Sequence, residues 1–302
     1  MALTFENLFE NYQDHTSDTS AANLTIGKAR INDTAKELLA LHDWYFAEKT
    51  QTFTPTINDY QYDLPYDFSR MVAVTIELDD IHYTLEEVPS HDEWQRIHTF
   101  RDTFTSNVPE FYHVTADSVE IYPIPSSTAS TATGKMYYIK RVADMTADDY
   151  VTGTAVATNA SASIVGTGTT WTTAMAGRFF KINSDARWYE LSTFGSTTTF
   201  TLKKTFQGLT VTTTNYTIGE MSPIPEDYHP LLWYQPVATY WMMKKEPSQA
   251  AYYQALYDKG KVDFLNAYAK RSRTQLLRPR KRMYFGRQTA ASSWPDEDYY
   301  GS

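Results

Sequence analysis

Apolar positions in the first third of the chain follow two periods. Phe5, Leu8, Phe9 and Tyr12 share one helical face, and so do Ile31, Ala35, Leu38, Leu39 and His42. A short first helix, an Asp14–Ala22 loop and a second helix over about 21–42 follow from that spacing. Trp44 and Phe46 then open a Thr-rich strand. Asn58-Asp59 marks a turn, and Tyr60, Tyr62 and Leu64 alternate as a partner strand ended by Pro65. Val72, Val74, Ile76 and Leu78 alternate strictly, Asp79-Asp80 turns the chain, and Ile81, Tyr83 and Leu85 return. Ser90 is placed to cap a short helix, with Glu93 three residues on and Trp94, Ile97 and His98 facing inward. Strands over 111–114, 119–124 and 135–141 complete an antiparallel meander.

The pattern changes near Tyr150. From Val151 to Ile218 the chain is rich in Thr, Ser, Ala and Gly, and short strand-like runs alternate with turns. No helical period appears, so a small β-sandwich or barrel is expected. After Pro223 helical spacing resumes: Leu231, Tyr234, Ala238, Trp241 and Met242 share a face. Pro236 lies within that pattern and predicts a kink or a late start. Pro247 restarts a helix as its first residue, with Tyr253, Leu256, Phe264 and Ala267 facing inward. The fold class read from these patterns is α+β. It comprises a helical-bundle body with an antiparallel β meander, a small all-β sandwich-like domain, and an extended C-terminal arm.

Composition narrows the functions. With 302 residues and 42% hydrophobic content the chain can bury one large core or two modest ones. It has no Cys, which excludes disulfides, thiolate zinc sites and a thiol nucleophile. No apolar run is long enough to cross a membrane, and the acidic start MALTFENLFE is no signal peptide. Net charge is -9, so the chain as a whole does not attract nucleic acid. Its 23 Tyr and 7 Trp suit both cores and contact surfaces.

Few residues point to chemistry. Gly166-Thr-Gly168 lacks a following Gly-Lys-Thr and sits between strands, not before a helix, so it reads as a turn and not a phosphate loop. His91 and His98 are the one His pair able to share a short helix face, with Asp92 and Glu93 nearby only by type. Asp79-Asp80, Glu86-Glu87 and Asp148-Asp149 read as turn chemistry, not as paired catalytic carboxylates. No enzyme, cofactor or metal is expected. Lys270 to Arg287 is strongly basic. Its Arg278, Arg280 and Arg282 are interleaved with Leu276, Leu277, Met283, Tyr284 and Phe285, and Trp294 follows in an acidic, aromatic end. Three readings apply: phosphate contact, a solvated tail, or an arm docking into a partner. The interleaved apolar anchors favour the arm. Interrupted by Pro279 and Pro295, it buries too little apolar surface to order alone, so it is expected to order on docking.

The succession Leu38, Leu39, Trp44, then Glu48-Lys49-Thr50, then Tyr62-Asp63-Leu64-Pro65 with Asp67-Phe68 resembles the tailed-bacteriophage head–tail adaptor family, also called head-completion or connector proteins. The resemblance covers about residues 1–145 and 222–272. It includes Tyr137–Arg141 as a strand and Pro225–Leu232 as a Pro-led helix start. It implies a virion structural protein of the head–tail connector, made in the host cytoplasm. It further implies a homo-oligomeric ring, a dodecamer, under the portal protein. That ring continues the DNA channel, without sequence-specific DNA binding, and presents a surface to tail or nozzle proteins. Residues 1–149 and 221–272 would then be the adaptor body, and 150–220 an inserted domain. The words Gly166–Trp171, Gly177–Ile182 and Trp188–Leu191 look like immunoglobulin-like modules of phage structural proteins. Residues 273–302 would be the portal-docking arm. The alternative is a tail-associated receptor- or glycan-binding protein, with Trp171, Trp188 and Tyr189 as a sugar-stacking platform.

Overall fold

The computed structural model describes residues 2–78, 80–99, 105–106, 108–125 and 132–269. The side chains of His98, Thr105 and Ser106 are outside this set, as is the whole of the arm. Helices α1 (Phe5–Thr16) and α2 (Ala21–Ala40) form the front of the body. Thr4 caps α1 by accepting from Asn7 N–H, and Ser20 caps α2 by accepting from Asn23 N–H. Gly27 lets the two helices close up, because a Cβ there would strike the Tyr12 ring. Tyr12 Oη then donates to Asn23 Oδ1 at 2.7 Å.

A 3-10 turn at Tyr45–Ala47 leads into β1 (Glu48–Phe53). Then come β2 (Gln61–Asp63), β3 (Phe68–Leu78), β4 (Ile81–Thr84), β5 (Glu86–Glu87) and α3 (His91–His98). Next are β6 (Thr105–Ser106), β7 (Phe111–Val114), β8 (Ser118–Tyr122), β9 (Ile124–Pro125) and β10 (Thr133–Lys140). The predicted hairpin β3–β4 is present, with Asp80 at a left-handed φ of 62°. Ser90 caps α3 by accepting from Glu93 N–H, as its spacing predicts.

One expected pairing is corrected. β1 and β2 are not partners. β1 is an edge of the sheet β1-β10-β3-β4, whereas β2 is an edge of β2-β8-β7-β5. The register β1–β10 runs from Glu48↔Ile139 to Phe53↔Gly134, so a strand some ninety residues later in the chain outcompetes the neighbour. The loop between β1 and β2 instead crosses from one sheet to the other. Val74, Ile76 and Met136 of one sheet pack against Tyr62, Tyr112, Val119 and Ile121 of the other, so both sheets bury their inner faces in a shared core.

Seven strands follow: β11 (Thr154–Ala157), β12 (Ser163–Thr167), β13 (Phe179–Ile182), β14 (Tyr189–Ser196), β15 (Thr199–Leu202), β16 (Val211–Thr214) and β17 (Tyr216–Gly219). Their order is β16-β11-β12-β15-β14-β13-β17, antiparallel throughout. The first and last strands of that order are joined by a single residue, Asn215. A sheet whose two edges are consecutive in the chain must roll until the edges meet. The result is one rolled sheet around Trp171, Phe180, Phe200 and Tyr216.

Helices α4 (Leu231–Met243) and α5 (Pro247–Tyr268) close the body. α4 packs against α1, α2 and α5 and is apolar nearly all round, the composition of a helix enclosed by others. Pro236 sits within α4, which begins at Leu231, so the proline does not delay the start. Pro247 is the first residue of α5, as predicted.

Candidate functional site

The motif words around Trp44, Lys49 and Asp67 lie at one corner, whereas Tyr62 and Leu64 pack in the separate core between the two sheets. Trp44 is buried, and its indole N–H donates to the Leu38 carbonyl at 3.0 Å, one of the orphan acceptors at the end of α2. Its ring packs on Phe46 and Phe264. Lys49 Nζ pairs with Asp67 Oδ2 at 2.7 Å, and Tyr138 Oη donates to Asp67 Oδ1 at 2.8 Å. The Lys-Thr strand, the Pro-Tyr-Asp exit and β10 are thus tied by one carboxylate. Burial alone would raise the Asp67 pKa, but the Lys49 ammonium and the Tyr138 hydroxyl hold it below the ordinary value.

α5 ends at the same corner. Tyr268 packs on Tyr45, Phe46, Tyr228 and Phe264. The residues assigned to the docking arm, Leu276 to Phe285 and Trp294, lie outside the described residues. Ala269, the last described residue before that segment, closes α5 at this corner.

Beside the corner runs a groove of about 650 Å³ between α2, β3 and β10. Leu39, Ala47 and Ile139 form apolar parts of its wall, and Arg70, Lys140 and Arg141 supply charge. The segment after β10 borders it and is pinned to α2. Asn32 donates Nδ2 to the Met145 carbonyl at 2.9 Å and accepts Met145 N–H at 3.0 Å on Oδ1, the pattern of a strand partner. The pairs Lys36–Asp144 and Lys28–Asp148 flank that clamp. An Asn on the inner face of an amphipathic helix, between Ile31 and Ala35, is the sequence signal for this contact.

The chain enters and leaves the β unit side by side, since Tyr150 and Ile218 exchange both backbone hydrogen bonds at 2.9 Å. Phe5 N–H donates to the Glu220 carbonyl at 2.7 Å, and Glu220 Oε2 accepts from Thr146 and Ala147 N–H. Asp149 Oδ2 accepts from Thr4 Oγ1 at 2.9 Å, while Glu6 Oε2 accepts from Asp149 N–H. Gly219 makes room here, because a Cβ would lie 2.7 Å from Asp149 Oδ1. Burial, reinforced by the Glu6, Glu10 and Asp148 carboxylates, pushes the Asp149 pKa up to about 6. His229 locks the N-terminus nearby. Its Nδ1 lies within reach of both Leu3 N–H, at 2.9 Å, and the Leu3 carbonyl, at 3.1 Å. One nitrogen cannot serve both. Burial lowers the pKa of this ring, and the neutral form with Nδ1 accepting and Nε2–H donating to Ile224 carbonyl at 2.9 Å satisfies the geometry.

The three aromatic residues named for a glycan platform do not all share one surface. Trp171 is buried and donates its indole N–H to Tyr216 Oη at 2.9 Å. Tyr189 is buried against Phe206, and its hydroxyl donates to Asp185 Oδ2 at 3.2 Å. Trp188 and the mostly buried Tyr189 both line a groove of about 790 Å³, beside Arg187, Lys203 and Lys204, with Lys181 Nζ 5.4 Å above the Trp188 ring. Strand alternation explains the split: Tyr189 and Leu191 point inward, and the core takes the residues that fit it. His91 packs near His113, the side chain of His98 is outside the described set, and no group of three His, Asp or Glu able to hold a metal gathers among the described residues.

A family model described as SU10 adaptor protein matches residues 4–190, more than half of the chain. The chain belongs to the SU10 adaptor family. The head–tail adaptor resemblance carried by Trp44, Lys49 and the Tyr62–Phe68 words is thereby established. The adaptor is a structural component of a phage virion, in a generally non-enzymatic family, and it assembles with other phage components. Its match runs past Tyr150 and stops within β14. No curated protein matches the chain. Among the described residues no helix is long and apolar enough to cross a membrane.

Proposed function

We propose that the adaptor forms a homo-oligomeric ring, a dodecamer, beneath the portal at the head vertex. In this reading it continues the DNA channel and offers its far side to tail or nozzle proteins. The observation that supports it best is the corner built from Trp44, Lys49, Asp67 and Tyr138. The Trp44, Lys49 and Asp67 words of the family likeness lie there, and α5 ends at the same place. From that point residues 273–302 dock to the portal. Leu276, Leu277, Met283, Tyr284, Phe285 and Trp294 supply apolar anchors, and Arg278, Arg280 and Arg282 pair with carboxylates. A net charge of -9 suits a channel through which phosphates must slide without being held.

The β unit, residues 150–220, is read as an insertion on the outer rim. Its paired entry and exit at Tyr150 and Ile218 are what a domain inserted into a loop requires. The receptor-binding alternative keeps Trp188 and the mostly buried Tyr189 at a groove, while Trp171 is enclosed in the core. Truncation after Ser272 tests the reading. Electron microscopy of particles carrying the truncated adaptor should show DNA-filled heads without tails, and normal joining would refute the arm's role.

A further inference from the structure

The groove between α2, β3 and β10 has charge that the fold leaves unused. Lys36 and Arg70 are already paired, with Asp144 and Asp43. Lys140 and Arg141 have no ion-pair partner among the described residues. Burial lowers the Lys140 pKa and the Lys49 ammonium adds to this; Glu190 and Asp67 oppose it, and Lys203 adds least. An arriving carboxylate would therefore be welcome at Lys140. The apolar stretch formed by Leu39, Ala47 and Ile139 lies in the same groove, so an occupant should combine carboxylates with aromatic rings.

The chain's own C-terminus fits that description and starts next door. Tyr268 packs on Tyr45 and Phe46, and Ala47 lines the groove. Beyond Ala269 every basic residue lies between Lys270 and Arg287, and like charge bars that stretch from this groove. Every acid beyond it lies in Asp296-Glu297-Asp298, between Trp294 and Tyr299-Tyr300. Residues 270–293 can span roughly 80 Å when extended, so length sets no limit. Closing such a loop costs little more than closing a shorter one.

We propose that this groove holds the acidic, aromatic segment Trp294–Tyr300 of the same chain in the free protein. Its carboxylates meet Lys140 and Arg141, and its rings cover the apolar wall. The basic stretch from Lys270 to Arg287 is then a loop held at both ends, displayed away from the body. A partner that takes up Trp294 must draw the segment out of the groove. The segment thus competes with docking and sets a threshold for it. This concerns the free adaptor and stands or falls without the portal.

The chain has no Cys, so cysteine pairs introduced into it report cleanly. The full-length Ala143→Cys/Ser293→Cys variant joins the exposed groove rim to the residue before Trp294. The matched pair Thr213→Cys/Ser293→Cys uses an exposed strand position of the β unit. Under mild oxidation the 143–293 intramolecular disulfide should form at least about ten-fold faster than the 213–293 one, as a raised effective concentration requires. About 0.5 M salt should slow it. Adding Asp296→Asn, Glu297→Gln and Asp298→Asn, outside the folded body, should bring it to the rate of the matched pair. Equal rates for the two pairs would overturn the proposal, and so would a 143–293 disulfide that forms only between two copies. Head–tail joining is not read in this assay, so its outcome is independent of the arm's role at the portal.

Discussion

The body and the β unit bury their cores by opposite strategies. The body's helical core unites residues from both ends of the chain. Phe5, Tyr12 and Leu38 pack with Leu232, Val237, Tyr257 and Phe264, with more than two hundred residues between them. The β unit's core is drawn entirely from residues between Ala155 and Ile218. The body's helical core therefore cannot form until the chain's last helices arrive, whereas the β unit can close on itself as soon as β17 is made. A self-contained unit can sit between two halves of a long-range core at little cost only if its ends meet, and Tyr150 and Ile218 do meet.

The sharpest break of that contrast is the deletion of residues 151–220. Circular dichroism should keep the helical signal of the body, and loss of that signal would show that the two cores are one. Core truncations come next. Trp44→Ala removes a buried indole with its hydrogen bond to Leu38 and should cost about 3–5 kcal/mol. Phe180→Ala should cost about 3–4 kcal/mol in the β unit. In urea unfolding, each should move one transition and leave the other in place.

The junction gives a smaller, pH-dependent effect. Asp149 has a folded-state pKa of about 6, above the ordinary carboxylate value of 3.8. The fold therefore favours its protonated form. Stability is greatest below the unfolded pKa, falls as pH rises from 3.8 through about 6, and is level above that. Asp149→Asn should stabilise the protein by about 1 kcal/mol near neutral pH, after allowance for solvent screening, and by almost nothing at acid pH. Asp67 should behave in the opposite sense. Its lowered pKa contributes stability above the unfolded value that is lost as pH falls. Asp67→Asn should cost about 1 kcal/mol at neutral pH, detectable as a modest fall in the midpoint of the body's transition alone.

Local features of the fold were legible in the sequence because local physics decides them. The caps at Ser90 and Pro247, the β3–β4 hairpin and the apolar faces of α1 and α2 all follow from residues within one or two turns of each other. The partner of β1 was not legible. Glu48–Phe53 has five exposed residues and no strong two-period face, so nothing in it selects β10 over β2. The aromatic residues of the β unit misled for a related reason. Composition marks Trp171 and Tyr189 as large rings with polar tips, and only the roll of the sheet reveals that both tips are satisfied inside. The Lys49–Asp67 tie was visible as two separate motif words whose contact required the third strand, β10.

The most direct test of the assembly reading is an electron-microscopy image of the purified full-length adaptor mixed with its portal. The account predicts a coaxial ring against the portal, with the β units on its outer rim and C-terminal density entering the portal from the corner at Tyr268. Copies scattered on a tail surface, or a ring whose β units face the lumen, would contradict it.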